Sequence, residues 1–311
     1  MRIALVDPSR TTQLIVGRML EARGHEVVAF ADELAALIQI KADPCIDAVI
    51  TSAELTHMSG VELCWETRLL ATCRRPIYVL MMSTHYDQRN LIAALDSGAD
   101  DFIGKPPLAE ELYARLRAAE RIISMQRELI RLATIDPLTG LCNRRGFFEL
   151  ATEACTRSAP PKGKLSAIIL DIDNFKQIND SYGHEKGDEA IRTCASATSL
   201  KDAVVGRLGG DEFALLLENR SLPQAIEVGE DLRARLAERP FDTGKGLITL
   251  TWSVGIGEGR PGDTVDQILA RADAALYDAK LGGRNRVAGA DAGVRTRQTI
   301  ATSGLSRATS L

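Results

Sequence analysis

Three short stretches carry side chains that could do chemistry together. The first is Asp171-Ile172-Asp173, which follows Leu165 to Leu170, an apolar run with the character of a buried strand. Two acids at i and i+2 on a strand point to one face, and a third acid from elsewhere would complete a site of hard oxygen ligands for a divalent cation. Taken alone the pair is weak, because strand ends often carry solvated acids. The second stretch, Arg207-Leu208-Gly209-Gly210-Asp211-Glu212-Phe213, supplies the third acid. Val204 to Leu208 and Phe213 to Leu217 read as strands joined by the two-residue turn Gly209-Gly210, which permits positive φ and close approach of a ligand to the backbone. Asp211 and Glu212 then sit at the hairpin tip, where a purely structural turn would not need two carboxylates. The third stretch is basic: Lys280 and Arg284, at i and i+4, are read on one face near the end of a helix over 264–281. Both could reach one phosphate chain, although alone they would equally make a solvated salt-bridge face. Neither GxxxxGKS/T nor GxGxxG occurs, so a nucleotide site must use other means.

The elements that must position these groups fall into two halves. A chain of 311 residues, at about 150 per domain, is expected to form two domains, each with its own core. Apolar residues at 45% and charged residues at 26% exclude wholesale disorder and fibre. A net charge of −4 argues against a general polyanion binder, so no nucleic-acid partner is expected. No apolar run approaches the roughly 20 residues that cross a bilayer, and the start reaches Asp7 too soon for a signal peptide. With six scattered cysteines and no CxxC, the reading is reduced core thiols and a cytoplasmic location. The four histidines (25, 57, 85, 184) are too dispersed for a metal sensor.

In the first half, apolar runs at 3–6, 26–30, 47–51, 77–82 and 101–104 alternate with helical patterns at 11–23, 33–42, 61–73, 87–97 and 108 onward. Five strands alternating with five helices predict a parallel sheet covered on both faces. Ligands in such sheets bind at the carboxyl ends of the strands, here Asp7-Pro8, Ser52-Ala53, Ser83-Thr84 and Lys105-Pro106. From Leu108 to about Thr134 there is no Pro or Gly. Leu112, Leu116, Ala119 and Ile123 form one apolar stripe; Ile122, Met125, Leu129 and Leu132 form a second, with the spacing of a two-stranded coil. A last helix packed on its own domain would explain the first stripe only. The second is expected to meet a partner chain, making a homodimer. In the second half, Asp136-Pro137 followed by Gly140 marks a turn, Asn143 can cap a helix, and 158–163 reads as a surface loop.

Residues 1–120, with Ser59-Gly60, Gly98-Ala-Asp-Asp101 and Lys105-Pro106, resemble the receiver domain of bacterial response regulators. Such domains carry two acids after strand 1, a phosphorylated Asp after strand 3, Ser or Thr after strand 4 and Lys before a cis proline. Asp7, Ser83 and Lys105 match. Pro8 replaces the second acid, and Ser52 stands where the phosphoacceptor should be. Aspartyl phosphorylation needs a carboxylate nucleophile and a cation held by hard ligands. Serine lacks the charge and has no histidine within four residues of it in sequence, and proline offers no side-chain oxygen. A degenerate receiver that keeps the fold and loses the phosphoswitch is expected, with Glu54 the one nearby acid that could substitute.

The second half resembles the GGDEF family, the diguanylate cyclases, over about 135–288. The matching blocks are DPLTGLCNRRGFF, DIDNFKQINDSYGHEKGDEA, RLGGDEF, SVGIG and ADAALYDAKLGGRNRV. The resemblance implies an α+β fold similar to class III nucleotide cyclases and polymerase palms. It implies that two GTP, one on each of two facing subunits, condense to cyclic di-GMP and two pyrophosphates. By the same resemblance, Asp171, the Ile172 carbonyl and Asp211 hold Mg²⁺ or Mn²⁺, two ions per half-site, with Glu212 close by. Asp211 is the candidate base for the ribose 3′-hydroxyl, and Lys176 stabilises transition-state charge. Asn179 and Asp188 read guanine, while Phe175 with neighbouring amides, Gly209, Gly210, Lys280 and Arg284 line the phosphates. Arg207 pairs with Asp136. Members often carry RxxD, its Asp six residues before the first Gly, as a product-inhibition site. The equivalent stretch here is Leu200-Lys-Asp-Ala203, without arginine, so that inhibition is expected to be absent.

The whole reads as a degenerate receiver (1–120), a helical coiled-coil connector (121–134), a GGDEF domain (135–288) and a disordered tail (289–311). The expected activity is diguanylate cyclase, with a possible protein partner on the receiver. The competing expectation is a catalytically silent scaffold that binds GTP or a partner.

Overall fold

Short β-branched runs bounded by capped helices set the architecture of the computed structural model, which describes residues 1–71, 75–85, 88–157 and 164–290. Cys73, the 158–163 loop and the tail from 291 lie outside the described residues. The chain divides into two units, Met1–Arg131 and Leu132 onward.

In the first unit five strands alternate with five helices: β1 (Arg2–Val6), α1 (Arg10–Glu21), β2 (Glu26–Phe30), α2 (Glu33–Ala42), β3 (Ala48–Ser52), α3 (Gly60–Leu70), β4 (Tyr78–Ser83), α4 (Gln88–Asp96), β5 (Asp101–Gly104) and α5 (Ala109–Thr134). Side chains supply the helix starts: Ser9 accepts from Thr12 N, Asp32 from Leu34 N and Ala35 N, and Ser59 with Glu62 forms a capping box. The sheet is parallel, in the order β2-β1-β3-β4-β5. One face packs Ile3, Leu5, Ile50 and Leu80 against α1 and α5; the other packs Val6, Val49, Val79 and Phe102 against α2, α3 and α4. The expected α/β sheet covered on both sides is therefore present.

Helix α5 runs without interruption through the expected boundary at residue 120, so the connector is not a separate element. Its first stripe, Leu112, Leu116, Ala119 and Ile123, is buried in the core of the first unit. The second stripe is uncovered: Ile122 is 41%, Met125 66%, Leu129 64% and Leu132 60% exposed.

The second unit contains α6 (Arg144–Arg157), β6 (Leu165–Ile172), α7 (Phe175–Tyr182), α8 (His184–Ala197), β7 (Ala203–Gly209), β8 (Glu212–Glu218), α9 (Leu222–Ala237), β9 (Pro240–Asp242), β10 (Leu247–Thr249), β11 (Trp252–Glu258), α10 (Val265–Leu281) and β12 (Val287–Ala290). Its main sheet has the order β12-β11-β6-β8-β7, antiparallel except for β11 with β12. Strand alternation sends Ile168, Leu170 and Ile172 toward the core that includes α8 and α9, and Ala167 and Ile169 toward α6 and α10. Helix α10 lies directly on β11: a Cβ on Gly255 would fall 2.1 Å from the Ala272 carbonyl oxygen. That contact explains the glycines of SVGIG and sets the height of Lys280 over the sheet.

Three expectations need correction. Gly209 still pairs with Glu212 across the hairpin, after a bulge between Arg207 and Gly209, so the turn is Gly210-Asp211 rather than Gly209-Gly210. Helix α10 stops at Leu281, because Gly282-Gly283 follows; Arg284 lies in the loop beyond it, with φ +60°, and shares no helical face with Lys280. Gly289 and Ala290 belong to β12, paired with Ile256 and Gly257, and not to a tail. The hairpin of β9 and β10 was not anticipated. Among the described residues the five cysteines form no disulfide; Cys64 and Cys194 are buried, but Cys45 is exposed. No described helix is long and apolar enough to cross a membrane.

Candidate active site

Strands β6 and β8 bring the acids together. Asp171 lies directly opposite Glu212 in the antiparallel register, and the Ile172 amide donates to the Asp211 carbonyl oxygen at 3.3 Å. Residues opposed in this way have Cβ atoms only about 5 Å apart. Both carboxylates project from the face covered by α6 and α10, as the parity with Ala167, Ile169, Ala214 and Leu216 requires. Burial, and then the charges of Asp211 and Asp173, hold the Asp171 carboxyl above the usual carboxylate range even though Lys280 Nζ pairs with it at 2.7 Å. Burial also raises Glu212, reinforced by Asp273 and Asp171 against the opposing charges of Arg144 and Lys280. Carboxylates gathered in this way are a donor set suited to a hard divalent cation, which would relieve their repulsion.

Asp273 and Arg144 were missed by sequence reasoning. The signal for Asp273 was available, since it stands seven residues before Lys280 on α10 and so on the same helical face.

Asp173 is not part of the acid cluster's open side. The strand ends at Ile172, and Asn174 adopts φ +56° as α7 begins, so the i, i+2 alternation does not extend to residue 173. Asp173 turns inward and is buried. It accepts from Ser253 Oγ at 2.7 Å, Thr251 Oγ1 at 2.8 Å and the Asn285 amide at 2.9 Å.

The hairpin tip is anchored from behind. Arg207 donates through Nε and Nη2 to the Gly210 carbonyl oxygen at 2.9 and 2.7 Å, and its Nη1 lies 3.2 Å from Asp136 Oδ2. Burial opposes ionisation of Asp136, but the Thr139 hydroxyl and Arg207 outweigh it and hold the carboxyl below its ordinary range. The same turn grips the end of α5: Asn143 Nδ2 donates to the Ala133 carbonyl oxygen at 3.0 Å, and its amide to that of Thr134 at 2.8 Å.

Helices α7 and α8 carry the remaining expected residues. Phe175 packs on the core at the start of α7, while Lys176 and Asp188 are exposed. Asn179 is half-buried against Gly187 of α8, where a Cβ would fall 1.9 Å from Asn179 Oδ1. Gly209 and Gly210 face open space.

At the carboxyl edge of the parallel sheet, the expected receiver residues form a closed polar network. Lys105 Nζ lies 2.5 Å from Asp7 Oδ2 and donates to Ser52 Oγ at 2.6 Å. Glu54 accepts from Ser83 Oγ at 2.6 Å and Thr84 Oγ1 at 3.3 Å. Burial alone would raise the Glu54 carboxyl, but the Ser83 hydroxyl and the other donors hold it below its ordinary range. Pro8 is exposed and carries no oxygen ligand. Elsewhere in this unit Asp32, Glu33 and His57 offer ligand atoms within 4.8 Å of one another. Glu33 Oε1 there already accepts from the His57 and Met58 amides, so the group acts as a clamp on the loop after β3.

Comparison with known proteins decides the family. The profile "Diguanylate cyclase, GGDEF domain" matches residues 133–286, and "Response regulator receiver domain" matches 3–117. A solved structure, the coiled coil and GGDEF domain of DgcB from Caulobacter crescentus in complex with c-di-GMP, is 33% identical, with 58% of this chain and 99% of that one covered at a TM-score of 0.54. This chain belongs to the GGDEF family.

Its GGDEF domain is preceded by a receiver domain, and the response regulator PleD of Caulobacter vibrioides is 30% identical over 304 residues. That match covers 93% of this chain and 65% of PleD. A diguanylate cyclase of Vibrio cholerae is 40% identical over 171 residues, covering 53% of this chain and 52% of that protein. The chain thus spans between half and two thirds of the length of these relatives.

Proposed function

We propose that the protein is a diguanylate cyclase that condenses two GTP to cyclic di-GMP and two pyrophosphates. The observation that carries this reading is the convergence of Asp171, Glu212 and the Gly210-Asp211 turn at one end of strands β6 and β8, with Lys280 already on Asp171. Asp171, the Ile172 carbonyl and Asp211 would hold Mg²⁺ or Mn²⁺, which when bound neutralises charge on the attacked phosphate and the leaving pyrophosphate. Asp211 accepts the proton of the ribose 3′-hydroxyl as that oxygen attacks the α-phosphorus. Lys280, released from Asp171, moves onto the phosphates together with Arg284, and Lys176 offsets charge in the transition state. Asp188 accepts from the N–H donors of the guanine edge and Asn179 donates to its O6/N7 acceptors, a pattern that adenine mismatches. The open faces of Gly209 and Gly210 leave room for the triphosphate.

Each domain holds one nucleotide, so two chains must face each other. The uncovered stripe of α5 supports a homodimer as the means. The receiver serves in that dimerisation or in binding a partner and is not switched by phosphorylation. In support of this, Ser52 Oγ is held by Lys105, Lys105 is neutralised by Asp7, and the Glu54 carboxylate already occupies the hydroxyl of Ser83. The stretch 200–203 lacks the arginine that a product-inhibition site would need.

Chromatography of a GTP reaction with Mg²⁺ tests the reading. Cyclic di-GMP is expected from the unaltered protein and should be lost, with GTP still bound, on Asp211→Ala. GTP binding without product from the unaltered protein would leave a silent scaffold instead.

A further inference from the structure

We propose that Asp173 is a positioning residue for the triphosphate-binding loop, acting on the phosphates through Arg284 without touching them. The inference rests on the reading of the site as a GTP site.

Residues 282–286 connect α10 to β12 and carry Arg284. Two consecutive residues with side chains, Arg284 and Asn285, adopt left-handed backbone at φ +60° and +45°. Side-chain-bearing residues populate that region sparsely, and a run of two persists only where the surroundings hold it. On the described residues the hold comes from three sides. The Arg284 amide donates to the Ala279 carbonyl oxygen at 3.1 Å, and the Val254 amide donates to that of Arg286 at 2.9 Å. Between them, the Asn285 amide donates to Asp173 Oδ2 at 2.9 Å.

The last contact is the one made by a buried charge. Asp173 is held in place by Ser253 Oγ on its other oxygen, by Thr251 Oγ1 on the same oxygen, and by its own amide on the Thr251 carbonyl oxygen at 2.9 Å. The three donors engage both carboxylate oxygens, and charge-assisted bonds of this kind are the strong ones. Asp173 directly follows the Asp171-Ile172 pair, so it ties the cation-holding end of β6 to the loop that aims Arg284. An asparagine here can keep its carbonyl oxygen on Thr251 Oγ1 and the Asn285 amide and turn its NH₂ to the Ser253 hydroxyl, but it removes the charge, so the Asn285 N–H is held by a neutral acceptor in place of a charge-assisted one. The hold on the loop would then weaken, while Asn179 and Asp188 on α7 and α8 keep theirs.

The test uses the full chain with Mg²⁺ and two probes in calorimetry: GMP, and the α,β-methylene analogue of GTP, which cannot react. Asp173→Asn is expected to weaken the triphosphate analogue about tenfold, the loss of one charge-assisted contact, and to leave GMP within about twofold. On an Arg284→Ala background, Asp173→Asn should weaken the analogue no further, since both act through one side chain. Equal loss of both probes, or additive losses in the double variant, would overturn the proposal. Should Asp173→Asn fail to fold, Thr251→Val with Ser253→Ala keeps the acid and strips its hydroxyl donors. It must show the same loss confined to the triphosphate, or the proposal falls. If the unaltered protein binds neither probe, the reading of the site as a GTP site fails, and this inference with it. Binding of both probes without selective loss sinks the inference alone.

Discussion

Asn179 owes its place to the absence of a side chain opposite. A Cβ on Gly187 would lie 1.9 Å from Asn179 Oδ1 and 3.4 Å from Phe175 Cζ, and the amide is the softer neighbour. Gly187→Ala is therefore expected to displace Asn179 and to raise the KM for GTP about tenfold, the worth of one polar contact with the base, without unfolding the domain. Steady-state kinetics beside a thermal melt would check both halves. His25 makes a different prediction. Burial, then the N-terminal ammonium, lowers its pKa from the ordinary 6.5, against a smaller opposing effect of Glu120. The unfolded chain thus takes up a proton before the folded one does, so stability is full above 6.5 and falls as pH drops below it toward the lowered folded value. A His25→Gln variant should show a flatter dependence of melting temperature on pH across that window. At this scale the hairpin that carries Asp211 and Glu212 could be read from strand pattern, but the opposition of Asp171 and Glu212 could not, because it depends on which strand pairs with β6. The inward turn of Asp173 could not, because alternation says nothing about where a strand stops.

Helix α5 illustrates how two stripes on one helix separate in purpose. Leu112, Leu116, Ala119 and Ile123 are buried within their own unit, whereas Met125, Leu129 and Leu132 remain more than half exposed. Replacing Met125 and Leu129 by Glu sets like charges along this uncovered stripe and is expected to abolish the proposed homodimer in sedimentation velocity, with loss of cyclic di-GMP synthesis. The fold of each unit should survive, since neither side chain enters a core. Both stripes and the uninterrupted helix follow from spacing and from the lack of Gly and Pro. The off-by-one turn at Gly210-Asp211 was harder, because a glycine pair marks a break but not which peptide makes it; α10 ends at Leu281 as expected, and the error was to count i, i+4 past that end to Arg284. Strands of three residues, as in β9 and β10, carry too little pattern to be seen.

At the scale of the whole molecule, alternating runs were enough to foresee a parallel sheet in one half, and the sheet order β12-β11-β6-β8-β7 in the other was not readable from pattern alone. The polar network around Ser52 has a direct consequence for signalling. Incubation with acetyl phosphate and Mg²⁺ is expected to add no phosphoryl mass to the intact protein, and an added phosphoryl group lost on Glu54→Ala would contradict this. The grip of Asn143 on the last carbonyls of α5 joins the Asp136–Arg207 pair and the Gly210 carbonyl in one continuous series of bonds. Any displacement of the last turn of that helix therefore bears on the Asp136–Arg207 pair, and through Arg207 on the carbonyl that ends the hairpin.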